Sequence, residues 1–284
     1  MNRIPTQTEQ AEALHGLHRG PDPLVLVNAW DAGSAAVVQR AGASAIATTS
    51  AGMAWSLGHA DGERVPRDEF VAACARICRV AHVPVTVDIE RGFERNADEV
   101  CPLVRDLIDL GVVGVNIEDG VSAENRQLLP PQALCERIAA LRTLADRAGV
   151  RLFINARTDA YLAPQSNRPD RFETALQRAR LYAASGADGI FVPGMDRLDD
   201  IGRFAGAIPL PLNVYAGYAG VPDVQALAAS GVRRISLGCG PLQSAFGLLG
   251  RIAEEAFTLG RYDGMSDRMA SAADLNALFT PSTK

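Results

Sequence analysis

The stretch LGVVGVNIED, residues 110–119, combines a glycine, a continuous apolar run and two acids. The glycine suits the left-handed position that ends a helix. The apolar run is typical of a strand buried on both faces, as in a parallel sheet. The same change from helix exit to apolar run occurs in AGASAI (41–46), SGADGI (185–190) and SGVRRI (230–235). We therefore interpret the chain as a repeat of strand–helix units.

Eight short apolar runs alternate with stretches of helical spacing, which predicts a parallel sheet. The runs cover residues 24–30, 45–50, 84–89, 114–119, 152–157, 189–194, 211–216 and 234–239. Predicted helices follow them, including 67–80, 97–110 and 170–185. Eight such units with short turns predict a closed (β/α)8 TIM barrel of the α/β class. The alternative is an open, doubly wound sheet of the Rossmann type, although no GxGxxG motif follows any run.

The segments outside the repeat are also helical in pattern. Residues 5–19 predict a helix before the first strand, and residues 241–281 predict the eighth helix and a helical tail. No linker marks a second domain. We therefore expect a single domain over 1–284, with the barrel over 24–260 and the tail over 261–284.

Composition narrows the class of protein. The 284 residues carry a net charge of -5, which argues against binding to nucleic acid or to an acidic membrane. No apolar run reaches the roughly 18 residues that cross a bilayer. The N-terminal MNRIPTQTEQ lacks the apolar part of a secretory signal, so we expect a cytoplasmic protein.

The five cysteines lack CxxC spacing and suit reduced thiols; Cys74 and Cys78 read as core residues, or alternatively as half of a metal site.

Lysine is almost absent, which excludes several chemistries. The one lysine in the sequence is Lys284, at the end of the chain. Schiff-base aldolases and pyridoxal-phosphate enzymes need a lysine amine held in a fixed position, and P-loop proteins need one beside the phosphates. A lysine at the last residue suits none of these roles.

Acidic side chains collect where the predicted strands end, which is where TIM-barrel active sites lie. Asp88 and Glu90 are two residues apart, so alternation places them on one side of a strand, and Glu118 ends the next strand. Three crowded carboxylates favour a neutralising cation, and oxygen ligands favour Mg²⁺, with Mn²⁺ as the alternative. The structural alternative is that such acids cap helices, which we favour for Asp31 and Asp119.

Other polar groups at the same edge suit an anionic ligand. Arg157 ends the fifth run and is suited to bind a carboxylate or phosphonate, or else to pair with Asp159 or Glu118. The tripeptide 50–52 offers small side chains and backbone N–H groups, and Asn213 lies in the seventh run.

Two long connections are candidate lids over the carboxyl ends of the predicted strands. Residues 51–66 form a long predicted connection that carries His59 and Asp61, and residues 120–130 form the second.

The ordered motifs TTSAG (48–52), VDIE (87–90), NIED (116–119) and NARTD (155–159) resemble those of the isocitrate lyase and phosphoenolpyruvate mutase superfamily. The resemblance covers roughly residues 10–260. It implies a (β/α)8 barrel that binds Mg²⁺ and 2-oxo acids or their enolates. It also implies a homodimer or homotetramer, commonly with the eighth helix swapped between subunits.

The resemblance assigns roles by position. Asp88 matches the direct magnesium ligand, while Glu90 and Glu118 match acids that reach the metal mostly through water. Asp61 resembles the acid on the loop after the second strand.

The matching substrate-binding residues are Ser50, Ala51, Gly52, Arg157 and Asn213. Asp61, His59, Glu118 and Arg157 are the expected catalytic residues.

The sequence also departs from the family pattern. Lyases of the family carry a KKCGH- or KRCGH-type loop after the fourth strand, in which cysteine donates a proton. Here residues 120–130 read GVSAENRQLLP, without cysteine, lysine or histidine. The mutase and phosphonopyruvate-hydrolase branch has a lysine and an asparagine there; Asn125 matches the asparagine, but the lysine is absent. Glu90 replaces the more usual aspartate.

These features predict a Mg²⁺-dependent enzyme that cleaves or forms a C–C or P–C bond beside the carbonyl of a 2-oxo acid. The preferred reaction is an oxaloacetate-like lyase or decarboxylase, and a phosphonomutase or phosphonopyruvate hydrolase is the alternative. A non-catalytic 2-oxo acid binder and a metal-independent barrel are the remaining readings. The candidate proton donors are His59, Asp61, Glu124 and Arg126.

Overall fold

The computed structural model describes residues 5–93, 97–120, 128–163, 170–266 and 269–280. Within these ranges, eight parallel strands form one sheet in the order β1-β8-β7-β6-β5-β4-β3-β2. The strands are β1 (Leu24–Leu26), β2 (Ile46–Ala47), β3 (Val85–Asp88), β4 (Gly114–Glu118), β5 (Phe153–Arg157), β6 (Gly189–Phe191), β7 (Leu212–Tyr215) and β8 (Val232–Ser236). Ala29 closes the circle between β1 and β2, because its N–H donates to Ala47 and its carbonyl accepts from Thr49.

Helices follow the strands and surround the barrel. They are α1 (Gln7–Leu17), α2 (Ala32–Arg40), α3 (Ser50–Ser56), α4 (Arg67–Val80), α5 (Ala97–Asp109), α6 (Pro131–Ala148), α7 (Arg171–Ala184), α8 (Leu198–Ala207), α9 (Val224–Ala229), α10 (Gly240–Leu259), α11 (Asp263–Ser266) and α12 (Ala272–Ala277). The predicted (β/α)8 barrel is therefore confirmed, including the helix before β1 and the helical tail. The open Rossmann alternative is excluded by the closure at Ala29.

The glycines at the predicted helix exits have the expected backbone. Gly42, Gly111, Gly186 and Gly231 all have positive φ, between 88° and 104°. A side chain at such a position is strained, so glycine lets each helix end and the chain turn into the next strand. Sequence and local geometry agree at these turns.

Helix α1 covers the barrel at the end where the strands begin. Its Leu14 belongs to a buried cluster with Leu24, the first residue of β1, and Phe153, the first residue of β5. The His18 ring stacks on Phe153 with a centroid distance of 4.0 Å. This end of the barrel is therefore filled, and the carboxyl ends of the strands remain for a site.

The predicted connection over 51–66 is only partly a loop. Residues 50–56 form α3, and its first residues are buried. Thr49 caps this helix, as its hydroxyl accepts from Gly52 N–H. The expectation of a lid spanning the whole segment is wrong for its first half, because a capped, buried helix belongs to the barrel wall.

Helix α10 leaves the barrel after its first turn. Leu242 is buried, whereas residues 243–250 are all exposed. The exposed apolar side chains include Leu249 and Phe257, and the Phe257 side chain is 88% exposed. No helix in the described part of the chain is both long and apolar enough to cross a membrane.

Candidate functional site

Asp88, the last residue of β3, is held from two sides. Its Oδ2 accepts hydrogen bonds from the Ser50 hydroxyl (2.9 Å) and from the Ser50 N–H (3.4 Å). Its own N–H donates to the Thr48 hydroxyl at 3.0 Å. The other oxygen, Oδ1, is buried and has no hydrogen-bond partner among the described residues. Asp88 is thus oriented by β2 and α3 while one oxygen remains available to a ligand.

Glu90 lies beyond the end of β3, in a left-handed backbone conformation with φ of 51°. The strand alternation expected for Asp88 and Glu90 therefore does not hold. Instead, the Glu90 carbonyl accepts from the Glu118 N–H at 2.8 Å, which sets the two acids on adjacent strand ends. Burial, together with the charges of Asp61, Asp88 and Glu63, raises the pKa of Glu90 to about 8. The predicted cluster of acids is present.

Arg157 pairs with two carboxylates at the end of β5. Its Nε and Nη2 donate to the two oxygens of Asp159 at 2.7 and 3.1 Å, and its Nη1 lies 2.9 Å from Glu118 Oε2. Burial alone would lower the pKa of Arg157, but Asp159 and Glu118 outweigh it and raise the pKa well above its ordinary value. The pKa of Glu118 is raised well above its ordinary value, first by burial. The structural alternative for Arg157 is therefore confirmed, with both predicted partners.

Asp119 does not cap a helix, contrary to the sequence expectation. Its Oδ2 accepts from Arg178 (2.9 Å) and from the Tyr182 hydroxyl (2.6 Å), both on α7, while its Oδ1 accepts from the Asp159 N–H. The residue is fully buried and joins β4, β5 and α7. Asp31, by contrast, caps α2 through Ser34 N–H at 2.7 Å, as predicted.

A buried guanidinium lies inside the barrel below the acids. Arg234 on β8 is 1% exposed, and its Nη2 donates to Asn116 Oδ1 at 3.1 Å. Its Nε and Nη1 have no hydrogen-bond partner among the described residues. Burial lowers the pKa of Arg234 to about 10, opposed by the charge of Asp88, so the group remains a cation at neutral pH. No motif in the sequence marks this buried cation.

Asn213 also lies in the barrel interior. Its Oδ1 accepts from the Ser236 hydroxyl at 3.2 Å, and its buried Nδ2 has no partner among the described residues. In the sheet register Asn213 pairs with Phe191, which pairs with Arg157. Asn213 and Arg157 therefore lie in one register row of the sheet, two strands apart, and that both bind one ligand stays a prediction.

Glu63 is a second residue that the sequence analysis missed. Its carboxylate accepts from the N–H groups of Arg91 and Phe93 at 3.1 and 2.8 Å and pairs with the Arg91 guanidinium. Its own N–H donates to Glu90 Oε1 at 3.1 Å. Glu63, Glu90 and Phe93 all have positive φ. Such strained residues often cluster at functional sites, where the surrounding contacts hold them in place.

The candidate catalytic residues on segments 51–66 and 120–130 differ in where the structure places them. His59 pairs with Glu69 of α4 at 3.0 Å and has no described contact with the acids. Asp61 is near enough to Glu90 for its charge to raise the pKa of Glu90, and its catalytic role stays a prediction. Glu124, Asn125 and Arg126 lie outside the described residues.

The tripeptide 50–52 forms the first turn of α3, directly beside Asp88. A Cβ on Gly52 would lie 2.6 Å from Thr49 Cγ2 and 3.2 Å from Trp30 Cβ. Close packing therefore explains the glycine, and Ser50 is the residue of the three that contacts the acids.

A divalent cation fits this set if water supplies most of its ligands. Asp88 Oδ1 is an orphaned, buried carboxylate oxygen. Among the described residues, no three His, Cys, Asp or Glu side chains form a ready metal-binding group. Mg²⁺ keeps several waters and is commonly held by one or two carboxylates, so a single direct ligand with Glu90 and Glu118 at a distance suits its chemistry.

The raised pKa of Glu90 predicts a pH dependence of stability. The folded protein holds this proton up to about pH 8, whereas the ordinary pKa is 4.5. Between these values the folded state binds more protons than the unfolded state, so the free energy of unfolding falls as pH rises. In urea unfolding of the metal-free protein, Glu90→Gln should flatten this fall. The same slope in both proteins would contradict the assignment.

Comparison with known proteins agrees with the motifs. The family model described as phosphoenolpyruvate phosphomutase matches residues 14–257. A solved protein of Burkholderia cenocepacia, provisionally named a phosphonomutase, is 40% identical, with a TM-score of 0.83 over 88% of this chain and 99% of that one. A second, provisionally named a lyase/mutase, is 32% identical, with a TM-score of 0.88 over 97% of both chains.

A named enzyme is also similar to this chain. The 2-methylisocitrate lyase of Salmonella typhimurium is 30% identical over 86% of this chain and 82% of its own length. Members of the family are typically metal-dependent. The chain thus belongs to the phosphoenolpyruvate phosphomutase family, within the isocitrate lyase and phosphoenolpyruvate mutase superfamily of lyases and mutases that act on C–C or P–C bonds.

Proposed function

We propose that this protein is a Mg²⁺-dependent lyase that breaks or forms the C–C bond next to the carbonyl of a small 2-oxo acid, with an oxaloacetate-like compound as substrate. The observation that carries the proposal is the buried Oδ1 of Asp88, which has no hydrogen-bond partner within the described part of the chain. The charges of Asp88, Glu90 and Arg157 all act on Glu118, so these four groups are near one another. The Asp88 oxygen is costly to bury unless a ligand satisfies it. A cation there, with Mn²⁺ as the alternative, would do so.

The acids have distinct tasks in this proposal. Asp88, oriented by Ser50 and Thr48, would be the direct ligand of the metal, and Glu90 and Glu118 would bind it through water. When bound, the metal supplies a Lewis acid that stabilises negative charge on the carbonyl oxygen of the substrate. Asp61 is a candidate catalytic residue next to Glu90.

Arg157 binds the anionic end of the substrate. Asp159 fixes the Nε edge of its guanidinium, and Glu118 lies beside Nη1. The Arg157 guanidinium is therefore oriented before the ligand binds, which lowers the entropy cost of binding. Ser50, Ala51, Gly52 and Asn213 complete the proposed substrate site by family resemblance. His59 is not retained, because it pairs with Glu69.

A phosphonate substrate is the second candidate. The 40% identical relative that is provisionally named a phosphonomutase favours P–C bond chemistry. In this chain that chemistry would use the same carboxylates and the same arginine, Arg157. Both reactions place an anion on Arg157 and develop negative charge near the metal, so the fold alone does not separate them.

Calorimetric titration distinguishes these functions. Oxaloacetate, 2-oxoglutarate and phosphonopyruvate are titrated with and without Mg²⁺ while pyruvate is assayed. We expect Mg²⁺-dependent binding of oxaloacetate with release of pyruvate. Turnover of phosphonopyruvate alone would support the phosphonate reading. Metal-dependent binding without any product would indicate a binding protein, and binding that is indifferent to Mg²⁺ would contradict the proposal.

We also propose a homodimer or homotetramer in which α10 packs on a neighbouring subunit. The support is the exposed apolar surface of α10, which includes Leu249 and Phe257. An apolar surface of this kind favours association. We expect Leu249→Glu combined with Phe257→Glu to give a monomer in light scattering. The exposed Val37→Glu on α2 is the control and should leave the oligomer intact. A monomeric wild-type protein would refute this assembly.

A further inference from the structure

Tyr215, the last residue of β7, faces the same interior as the site residues. It is the register partner of Ser236, whose hydroxyl bonds Asn213 inside the barrel. Tyr215 follows Asn213 by two residues on one strand, so both side chains point to the same face. The Tyr215 hydroxyl therefore stands one step nearer the carboxyl ends of the strands than Asn213.

The Tyr215 ring packs against Gly217 and Gly238, where a larger residue would clash with it. A Cβ on Gly217 would lie 2.6 Å from the Tyr215 hydroxyl oxygen and 2.1 Å from the Leu237 carbonyl oxygen. A Cβ on Gly238, where φ is 53°, would lie 2.6 Å from Tyr215 Cε2. Side chains at these positions would displace the ring or the backbone. The turns after β7 and β8 thus leave space for this phenol.

The hydroxyl of Tyr215 has a weak partner. Its oxygen lies 3.9 Å from the Cys239 Sγ, just before α10. Sulfur is a poor hydrogen-bond acceptor, so the phenol proton is available to a better one. By contrast, the Tyr182 hydroxyl is committed to Asp119 at 2.6 Å, and His59 is paired with Glu69.

The electrostatic surroundings keep this phenol protonated and connect it to the site. Burial, together with Cys239 and Tyr218, raises the pKa of Tyr215 to about 12, although the positive charge of Arg157 opposes the rise. Arg157 is thus close enough to act on Tyr215. A neutral phenol beside the guanidinium that binds the substrate is suited to act as a general acid.

We propose that Tyr215 is the catalytic acid that protonates the carbon of the substrate enolate, with Cys239 orienting its hydroxyl. The proposal rests on the lyase function above and supplies a donor in place of the cysteine that residues 120–130 lack in their sequence. Cleavage leaves the electron pair of the broken bond on the enolate. This pair forms a C–H bond with the phenol proton, the O–H bond of Tyr215 breaks, and the phenolate recovers a proton from water, leaving hydroxide.

Tyr215→Phe tests the proposed role of the hydroxyl as a general acid, because phenylalanine keeps the ring packed against Gly217 and Gly238. We expect kcat for oxaloacetate to fall by roughly 10²- to 10⁴-fold, the usual contribution of a general acid. The Mg²⁺-dependent affinity for oxalate, which resembles the enolate, should stay within about twofold, since no proton moves on binding. Tyr218→Phe is the matched control: its ring lies 5.4 Å from that of Tyr215, and it should retain wild-type turnover.

A second readout does not depend on bond cleavage. In D₂O with Mg²⁺, the wild-type protein should exchange the methyl protons of pyruvate for deuterium, and Tyr215→Phe should lose this exchange. An active Tyr215→Phe, or a variant that loses oxalate affinity in proportion to kcat, would overturn the acid role and leave the lyase function standing. A wild-type protein with neither turnover nor exchange would overturn both.

Discussion

Asp88→Asn is expected to abolish the Mg²⁺ dependence of oxalate binding and to reduce kcat/KM by about 10³-fold. A bound metal contributes several kcal/mol of charge stabilisation, and each 1.36 kcal/mol is a tenfold change in rate. Asparagine has the shape of aspartate and its oxygen can still accept from the Ser50 hydroxyl, as Oδ2 does at 2.9 Å. The substitution therefore removes the charge while the neighbouring contacts remain.

Two controls separate this effect from unfolding. In the metal-free protein Asp88→Asn should change the melting temperature little, because the repulsion from Glu90 and the attraction to buried Arg234 are lost together. The pKa of Glu90 should fall as a result. Asp106→Asn removes a carboxylate that pairs with Arg67 at the exposed surface and should bind oxalate normally. If Asp88→Asn still bound oxalate only with Mg²⁺, another residue would have to be the direct ligand.

The fold could be predicted from the sequence because its signals are local. The helix predicted over 67–80 coincides with α4 (Arg67–Val80), and the run 114–119 contains β4 (Gly114–Glu118). A strand buried on both faces must be apolar throughout, and a helix that ends at glycine reveals its own boundary. The connection that contains α3 was misjudged because its small residues, SAGMAWS, lack clear helical periodicity.

The site was predicted less completely, because its contacts join distant parts of the chain. The sequence pattern places Arg234 at the start of the run 234–239, whereas in the structure it is the middle residue of β8 (Val232–Ser236) and points inward. The sheet register also shifts between Leu212 and Asn213, where β7 meets β8. Glu63 shows the same limit, since only the folded chain brings it to Arg91 and Phe93. A glutamate on a polar loop carries no sign of such a role.

The charges of the site are balanced by arginines rather than by lysines. Glu118 and Asp159 share Arg157 at one strand end, and Arg234 adds a second cation beneath Asp88. Arginine stays protonated when buried and forms planar, paired hydrogen bonds, which a lysine amine does not. A cluster of acids can therefore fold before the metal binds. Stability therefore depends on Arg157, and so does ligand binding in the proposed function.

Arg157→Gln is consequently expected to lower the free energy of unfolding by about 3–5 kcal/mol, since it leaves Asp159 and Glu118 buried without their cation. Arg157→Lys should lie between this variant and wild type, because one ammonium cannot replace the bonds at 2.7 and 3.1 Å to both Asp159 oxygens. Adding Asp159→Asn to Arg157→Gln should restore part of the stability, measured by urea unfolding. Oxalate affinity should stay low in the double variant, because the substrate-binding guanidinium is still missing. If affinity returned with stability, Arg157 would be a structural residue and the anion would bind elsewhere.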